Sequence, residues 1–69
     1  MNVNFGLALK TLRSRAGLTQ EQLAHLLETD ATNVSRMERN LQAPAFRMLL
    51  RLPDALHTPL SELFREAEQ

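Results

Sequence analysis

Two capping signals, at Thr19 and Asp30, constrain the fold of this chain more than any other feature of its sequence. The Thr19 hydroxyl can accept a hydrogen bond from a free backbone N–H of a helix that begins at Gln20, and Gln22 stands where a capping box needs it. Asp30 can cap a second helix, which we expect from Ala31 to Arg39. The segment therefore predicts two short helices joined by a tight turn.

The two predicted helices differ in how their apolar side chains are distributed. In the first helix, Leu23, Ala24 and Leu27 form an apolar stripe on one side. In the second helix, the apolar side chains of Val34 and Met37 lie on the same side. The other side of the second helix carries polar residues, namely Thr32, Ser35, Arg36, Arg39 and, on the flank, Asn33. We expect the first helix to be buried against the body of the protein and the second to present a hydrogen-bonding face to solvent.

This pattern is carried by Leu18–Ala24 and Asn33–Arg39, and these residues resemble the helix-turn-helix of the phage-repressor/Cro type, the XRE-like family. The resemblance continues past Pro44 through Leu49–Leu56 to Leu60–Phe64 and covers about residues 4–64. Its most specific signal is a spaced set of residues, which comprises Gln20, Leu23, Ala24, Val34 and Glu38. The resemblance implies an all-α fold, a single five-helix lambda-repressor-like DNA-binding domain over residues 1–69, with the helix-turn-helix at about residues 19–39.

Length and composition are compatible with this fold. A chain of 69 residues makes one domain, and a domain of this size buries only roughly 60% of the surface of its unfolded chain. The sequence contains no cysteine, so stability must come from helix packing without disulfides. No apolar run approaches the roughly 20 residues that span a bilayer, and no signal-peptide pattern precedes the fold. We expect a cytoplasmic protein.

The charge distribution is unusual for a domain that binds nucleic acid. The net charge is zero, whereas a basic domain is the usual electrostatic footprint. Residues 1–27 carry a net charge of +2 and residues 28–51 a net charge of +1, while residues 52–69 carry −3. The mildly basic part predicts weak non-specific DNA binding and an affinity that depends on dimerisation. The alternative is that these charges are merely solvated.

The resemblance also implies which residues contact DNA. Its base-facing positions correspond here to Ala31, Thr32, Asn33 and Arg36. Arginine can bond both acceptors of guanine, asparagine can pair bidentately with adenine, and threonine or alanine can touch a thymine methyl. Asn33 can instead hydrogen-bond within its own helix. We expect contacts to the DNA backbone from Gln20, Arg39 and Gln42. The alternative for Gln20 is a solvated residue in the first turn of its helix.

Other polar residues are expected to have structural roles or none. The resemblance implies a largely buried ion pair between Arg13 and Glu38, and Glu38 lies on the same helix face as Val34, which favours burial. His25 and His57 form no metal pair and provide no base for a nucleophile. No grouping of nucleophile and base and no phosphate-binding glycine loop is present, so we expect no catalytic site, metal or cofactor.

Helix ends are indicated by residues that cap or that tolerate a left-handed backbone. Asn4 can cap a first helix, and Gly17 can end it with a left-handed C-terminal cap. Glu28, Asn40 and His57 stand where glycine commonly ends helices in this family. A left-handed backbone costs little for asparagine and more for glutamate and histidine. Either Glu28 is strained, or the turn that it occupies differs in detail.

Two prolines mark the C-terminal helices. Pro53 falls inside a fourth helix that follows Pro44, and we expect it to kink that helix or divide it into two, because proline removes a backbone N–H. Thr58 is expected to cap a last helix, with Pro59 in its first turn and with helical residues from Leu60 to about Arg65.

The function implied is sequence-specific binding of double-stranded DNA by a small transcriptional regulator, as a homodimer on a near-palindromic operator. The C-terminal region has a surplus of large apolar side chains, which predicts a dimer interface of Leu60, Leu63 and Phe64 with neighbours in the fourth helix. Leu60 and Leu63 can alternatively close the core of the monomer. The alternative function is a helix-turn-helix-derived protein-interaction module, or an antitoxin-like partner protein, with weak or no DNA binding.

Overall fold

The computed structural model describes residues 4–68, which form five helices and no strand. The helices are α1 (Phe5–Arg15), α2 (Gln20–Leu26), α3 (Ala31–Glu38), α4 (Phe46–Leu56) and α5 (Leu60–Ala67). The all-α prediction is confirmed for this part of the chain. The two short helices around a tight turn are α2 and α3, and α3 ends one residue earlier than expected because Arg39 is its C-cap.

Side-chain caps determine where the first three helices begin. Thr19 Oγ1 accepts the backbone N–H of Gln22 at 3.1 Å, and Gln22 Oε1 accepts the backbone N–H of Thr19 at 2.8 Å, so the capping box is confirmed. Asp30 Oδ1 accepts the backbone N–H of Asn33 at 2.9 Å, and Asn4 caps α1 in the same way. Each cap satisfies an N–H group that has no partner inside its helix.

Four helices are followed by a residue with a left-handed backbone. Gly17 has φ 73° after α1, while Glu28, Asn40 and His57 have φ of 56°, 59° and 53° after α2, α3 and α4. At each end the next backbone N–H bonds to a carbonyl five residues back; after α2 the donor is Thr29 and the distance is 2.9 Å. Three non-glycine residues thus adopt the left-handed conformation that glycine usually occupies. For Glu28 this backbone conformation is unfavourable because of its Cβ atom.

The apolar faces of all five helices meet in one core. α1 packs against α3 and α5, and α2 packs against α3. The largest fully buried side chains are Leu9, Leu23, Leu27, Val34, Met37, Leu52 and Leu63. Burial of one such side chain stabilises the fold by about 1.5–3 kcal/mol relative to exposure. The apolar sides of α2 and α3 therefore fix these two helices against each other, with the polar side of α3 left outside.

The fourth helix is continuous, so the expected division at Pro53 into two short helices is wrong. α4 runs through Pro53 to Leu56. Proline lacks an N–H for the carbonyl four residues back, here that of Leu49. The loss concerns one hydrogen bond in the second half of the helix, and the buried side chains of Leu52 and Leu56 keep the helix on the core.

The last helix begins and ends differently from the prediction. Pro59, with φ −69° and ψ 151°, is itself the N-cap residue, and no side-chain hydrogen bond caps the helix, so the predicted cap at Thr58 is wrong. α5 extends to Ala67 rather than Arg65. The extension is stabilised because Ala67 is fully buried and its carbonyl accepts the backbone N–H of Asn4 at 2.7 Å.

The start of α1 crosses the end of α3 at very short range. A Cβ atom on Gly6 would lie 2.4 Å from the carbonyl oxygen of Glu38 and 2.7 Å from that of Met37. The Gly6 N–H donates to Asn40 Oδ1 at 2.9 Å, and Asn40 Nδ2 donates to Asn4 Oδ1 at 2.8 Å. Asn40 therefore both ends α3 and ties it to the beginning of α1, a link that the sequence did not predict.

We expect Gly6→Ala to lower the free energy of unfolding by about 1–3 kcal/mol, because the added methyl group overlaps two backbone carbonyls that cannot rotate away. This loss should exceed the gain in helix propensity from replacing glycine by alanine. Chemical denaturation measures it. Ser14→Ala, on the exposed part of the same helix, is the matched control and should change stability by no more than about 0.5 kcal/mol. A Gly6→Ala protein as stable as the wild type would contradict the close approach.

Candidate nucleic-acid interface

The solvent-facing side of α3 is polar and accessible. Val34 and Met37 are buried in the core, which turns the opposite side of the helix outward. Thr32 and Arg36 are exposed, and Ala31 and Asn33 are partly exposed. The four candidate base-contacting residues thus lie on one helix with accessible side chains. An α-helix of this kind fits the major groove of B-DNA, which is about 12 Å wide.

The exposed arginines of α3 and its C-cap have no acidic partner within residues 4–68. Arg39 Nε approaches only the backbone carbonyl of Ser35, at 3.4 Å, and Arg36 makes no ion pair. Four other arginines pair with glutamates, namely Arg13, Arg15, Arg51 and Arg65. The unpaired guanidinium groups of Arg36 and Arg39 therefore give this face a local positive charge on a chain with no net charge.

A buried polar cluster supports α3 from behind. Arg13 Nε donates to Glu38 Oε2 at 2.6 Å and Arg13 Nη2 donates to Glu38 Oε1 at 3.1 Å. The two side chains are 12% and 3% exposed, so the ion pair that the resemblance implies is present and largely buried. Arg13 Nη1 also donates to the carbonyl of Leu18 at 2.8 Å. The cluster thereby links α1, the loop before α2, and the last turn of α3.

Gln20 is a third member of this cluster, which the sequence reasoning missed. Its Nε2 donates to Glu38 Oε1 at 3.0 Å, so the side chain turns toward the protein and is only partly exposed. A carboxamide nitrogen carries two hydrogens, and one of them remains available to a further acceptor. Gln42, the other uncharged candidate for a backbone contact, is partly buried in the loop after α3.

Two arginines of α4 hold the turn between α2 and α3. Arg47 Nη1 donates to the backbone carbonyl of Leu27 at 2.9 Å, and Arg51 forms an ion pair with Glu28. Leu27 is the C-cap of α2 and Glu28 lies in the turn that follows, so α4 ties down the end of α2 and the start of the turn. In the turn itself, Thr29 Oγ1 accepts a hydrogen bond from Asn33 Nδ2 at 2.8 Å. The two contacts from α4 were not predicted, because no local pattern connects α4 with the turn. The Thr29–Asn33 bond joins residues four positions apart, and the sequence indicated that Asn33 could hydrogen-bond locally but not that Thr29 is its partner.

The candidate dimer residues divide between core and surface. Leu63 is only 1% exposed, so its expected place in a dimer interface is wrong: with Ala67 it forms the inner face of α5 and closes the monomer core. Leu60 is partly buried and packs against that core. Phe64 is 47% exposed, and Phe46 and Leu50, one turn apart on α4, are 73% and 63% exposed.

Neither a metal cluster nor a membrane-spanning helix is found in the described part of the chain. His25 and His57 are both exposed, and residues 4–68 contain no group of three or more histidine, aspartate or glutamate side chains that could hold a metal ion. None of the described helices has the length and apolar character needed to cross a bilayer.

Comparison with known proteins identifies the family. A helix-turn-helix domain model matches residues 4–65. The competence pilus inhibition repressor of Acinetobacter baylyi is 35% identical over 66 residues, a match that covers 96% of this chain and 60% of that protein, so the chain spans less than two thirds of this relative. The restriction-modification controller protein C.AhdI from Aeromonas hydrophila is 39% identical, with a TM-score of 0.81 over 90% of this chain and 94% of that chain.

A phage protein has the same architecture. The P22 c2 repressor, whose structure was solved with a synthetic operator, is 22% identical and superposes with a TM-score of 0.79 over 90% of this chain and 94% of that chain. At this identity the likeness shows the fold alone. The lambda-repressor-like fold predicted from the sequence is confirmed, and the chain belongs to the helix-turn-helix domain family.

Proposed function

We propose that this chain binds double-stranded DNA sequence-specifically through α3 and acts as a small transcriptional regulator. The observation that carries the proposal is the polar outer face of α3, on which Arg36 and Arg39 stand without an acidic partner in residues 4–68. The core and the Arg13–Glu38 pair hold this helix rigidly. The relatives, which are named as a repressor and a controller protein, support the same function. Binding to cellular DNA would place the protein in the cytoplasm.

In this proposal the base contacts come from the first two turns of α3. Arg36 would donate two hydrogen bonds to guanine O6 and N7, and Asn33 would pair with adenine. Ala31 and Thr32 would contact thymine methyl groups. Arg36 is the strongest candidate because its side chain is exposed and has no carboxylate partner in the described chain to compete with a base.

The contacts to the DNA backbone would come from residues flanking α3. Arg39 and Gln42 follow the helix, and Gln20 retains one N–H that is not used by Glu38. Only Arg39 in this set is charged. Because each neutralised phosphate contributes a slope of about −0.9 to log affinity against log salt, a subunit with one charged backbone contact should show a shallow salt dependence.

We propose a homodimer as the DNA-binding form. Two copies would place their α3 helices roughly 34 Å apart, in successive major grooves of a near-palindromic operator. Phe64 of α5 and the exposed Phe46 and Leu50 of α4 are apolar side chains that association could cover, together with the partly buried Leu60.

Substitution of Arg36 and substitution of Arg39 are expected to weaken DNA binding in different ways. Arg36→Ala should lose about 1–3 kcal/mol on the preferred site and relax the preference at one base pair of each half-site, because a base contact is lost. Arg39→Ala should weaken all duplexes alike and make the salt slope shallower by about one unit per contact. Each variant is titrated, at several salt concentrations, against a site selected from random DNA and against its single-base variants.

Two further variants serve as controls for this comparison. Arg65→Ala removes the same charge from α5 and should leave the base preferences unchanged. Gln20→Ala should weaken binding to every sequence by a similar factor with little change in salt slope, because the amide is uncharged. If Arg36→Ala weakens every duplex equally and flattens the salt slope, Arg36 binds phosphate, and specificity must come from Thr32, Asn33 or DNA shape.

The second candidate is a protein-interaction module or antitoxin-like partner protein that has lost DNA binding. The zero net charge and the exposed Phe46 and Leu50 favour it. A mobility-shift titration with random duplex at low salt separates the two functions. A folded protein that binds no duplex at any concentration would support the interaction module, whereas salt-dependent binding that strengthens on a selected site would support the DNA-binding regulator.

A further inference from the structure

We propose that Thr29 is a positioning residue for base recognition, which holds the Asn33 side-chain amide so that its outer edge can read adenine. The inference rests on the proposed DNA-binding function and adds a residue that makes no DNA contact of its own. Thr29 lies in the turn between α2 and α3, directly before the cap residue Asp30, and is partly buried. Its Oγ1 accepts the hydrogen bond from Asn33 Nδ2 at 2.8 Å.

Both partners of this hydrogen bond are fixed by the backbone of the turn. The Thr29 N–H donates to the carbonyl of Ala24 at 2.9 Å, which closes the end of α2. The Asn33 N–H donates to Asp30 Oδ1 at 2.9 Å, which opens α3. The hydroxyl therefore projects from a fixed turn onto a side chain in the first turn of α3.

The bond is not needed to cap the helix, because Asp30 already supplies the α3 cap. Its distinctive effect is on the side chain of Asn33. The other candidate base-contacting residues, Ala31, Thr32 and Arg36, have no side-chain hydrogen bond to another side chain within residues 4–68. Asn33 is thus the candidate whose side chain is positioned before DNA arrives.

The Asn33 carboxamide keeps the groups needed to recognise adenine while it is bonded to Thr29. The group has one acceptor oxygen and two N–H hydrogens, and Thr29 takes one of those hydrogens. The oxygen and the second hydrogen remain, and these are the acceptor and the donor that a bidentate pair with adenine N6 and N7 requires. The terminal torsion of asparagine is otherwise broad, so an unheld amide must be ordered when DNA binds.

The test compares Thr29→Val with Thr29→Ser. Valine keeps the branched shape and removes the hydroxyl acceptor, whereas serine keeps the acceptor. We expect Thr29→Val to reduce the preference for adenine at one base pair of each half-site by about 3- to 10-fold, the cost of ordering one side chain. The salt slope should be unchanged because no phosphate contact is lost. Thr29→Ser should retain the wild-type preference.

A double-mutant cycle with Asn33→Ala separates positioning from a general effect on the turn. In the Asn33→Ala background, Thr29→Val should cause no further change in preference at that base pair. The proposal is overturned if Thr29→Val keeps the wild-type preferences, or if it weakens all duplexes by one factor and serine does not restore them. A wild-type protein that shows no sequence preference would instead refute the proposed function on which this inference rests.

Discussion

Glu38→Ala is expected to lower the free energy of unfolding by about 3–5 kcal/mol, the range for removing one partner of a buried ion pair. The carboxylate is 3% exposed and accepts hydrogen bonds from both Arg13 and Gln20. Its loss leaves a guanidinium group that is only 12% exposed without a counter-charge, and leaves the Gln20 amide without its acceptor. Chemical denaturation followed by circular dichroism measures the change.

Three further variants test whether burial of the charge is the cause. Arg13→Ala should destabilise the fold comparably, and the double variant should lose less than the sum of the two single losses, because the residues interact directly. Arg65→Ala breaks an exposed ion pair with Glu62, in which the arginine side chain is 72% exposed, and should cost no more than about 1 kcal/mol. An unchanged denaturation midpoint for Glu38→Ala would show that the pair contributes nothing to stability.

The elements that could be predicted from the sequence are those set by residues close together in the chain. The Thr19–Gln22 capping box and the Asp30 cap depend on neighbours three positions apart, and both are present as predicted. The left-handed ends at Gly17 and Asn40 depend on one residue each. Because such signals act locally, they specify where helices begin and end even when the packing is unknown.

Most of the contacts that were missed join residues far apart in the chain. Gln20 reaches Glu38 and Asn40 reaches Gly6 across 18 and 34 positions, and Arg47 reaches Leu27 across 20. The sequence showed suitable donors and acceptors but not their distances. The position of the candidate DNA-reading helix was therefore predictable from its apolar face, whereas the side-chain bond that orients Gln20 was not.

The same limit applies to the apolar residues of α5. Hydrophobicity alone does not tell which large side chains close the core and which remain outside, since the two kinds alternate along one amphipathic helix. The structure separates Leu63, 1% exposed, from its neighbour Phe64, 47% exposed. The C-terminal surplus of apolar side chains therefore serves the monomer first, and only its outer part is free to associate.

Leu63→Ala and Phe64→Ala should consequently have different effects. Leu63→Ala should lower the free energy of unfolding by about 2–5 kcal/mol, because it leaves a cavity in the core. Phe64→Ala should cost the monomer much less and should weaken self-association by about 10-fold or more, as expected for an aromatic residue of the proposed dimer interface. Denaturation measures the first effect, and sedimentation at micromolar concentrations measures the second.

Protein concentration must be varied in both measurements, because association itself raises apparent stability by mass action. At concentrations where the wild type is monomeric, Leu63→Ala should still be strongly destabilised, whereas Phe64→Ala should unfold close to the wild type. Leu41→Ala is the matched control for Phe64→Ala, since it removes an apolar side chain that is 66% exposed in the loop after α3 and should leave association unchanged. A wild-type protein that stays monomeric both alone and on a selected DNA site would refute the proposed α4–α5 interface. Equal stability losses for Leu63→Ala and Phe64→Ala would refute the division between core and surface.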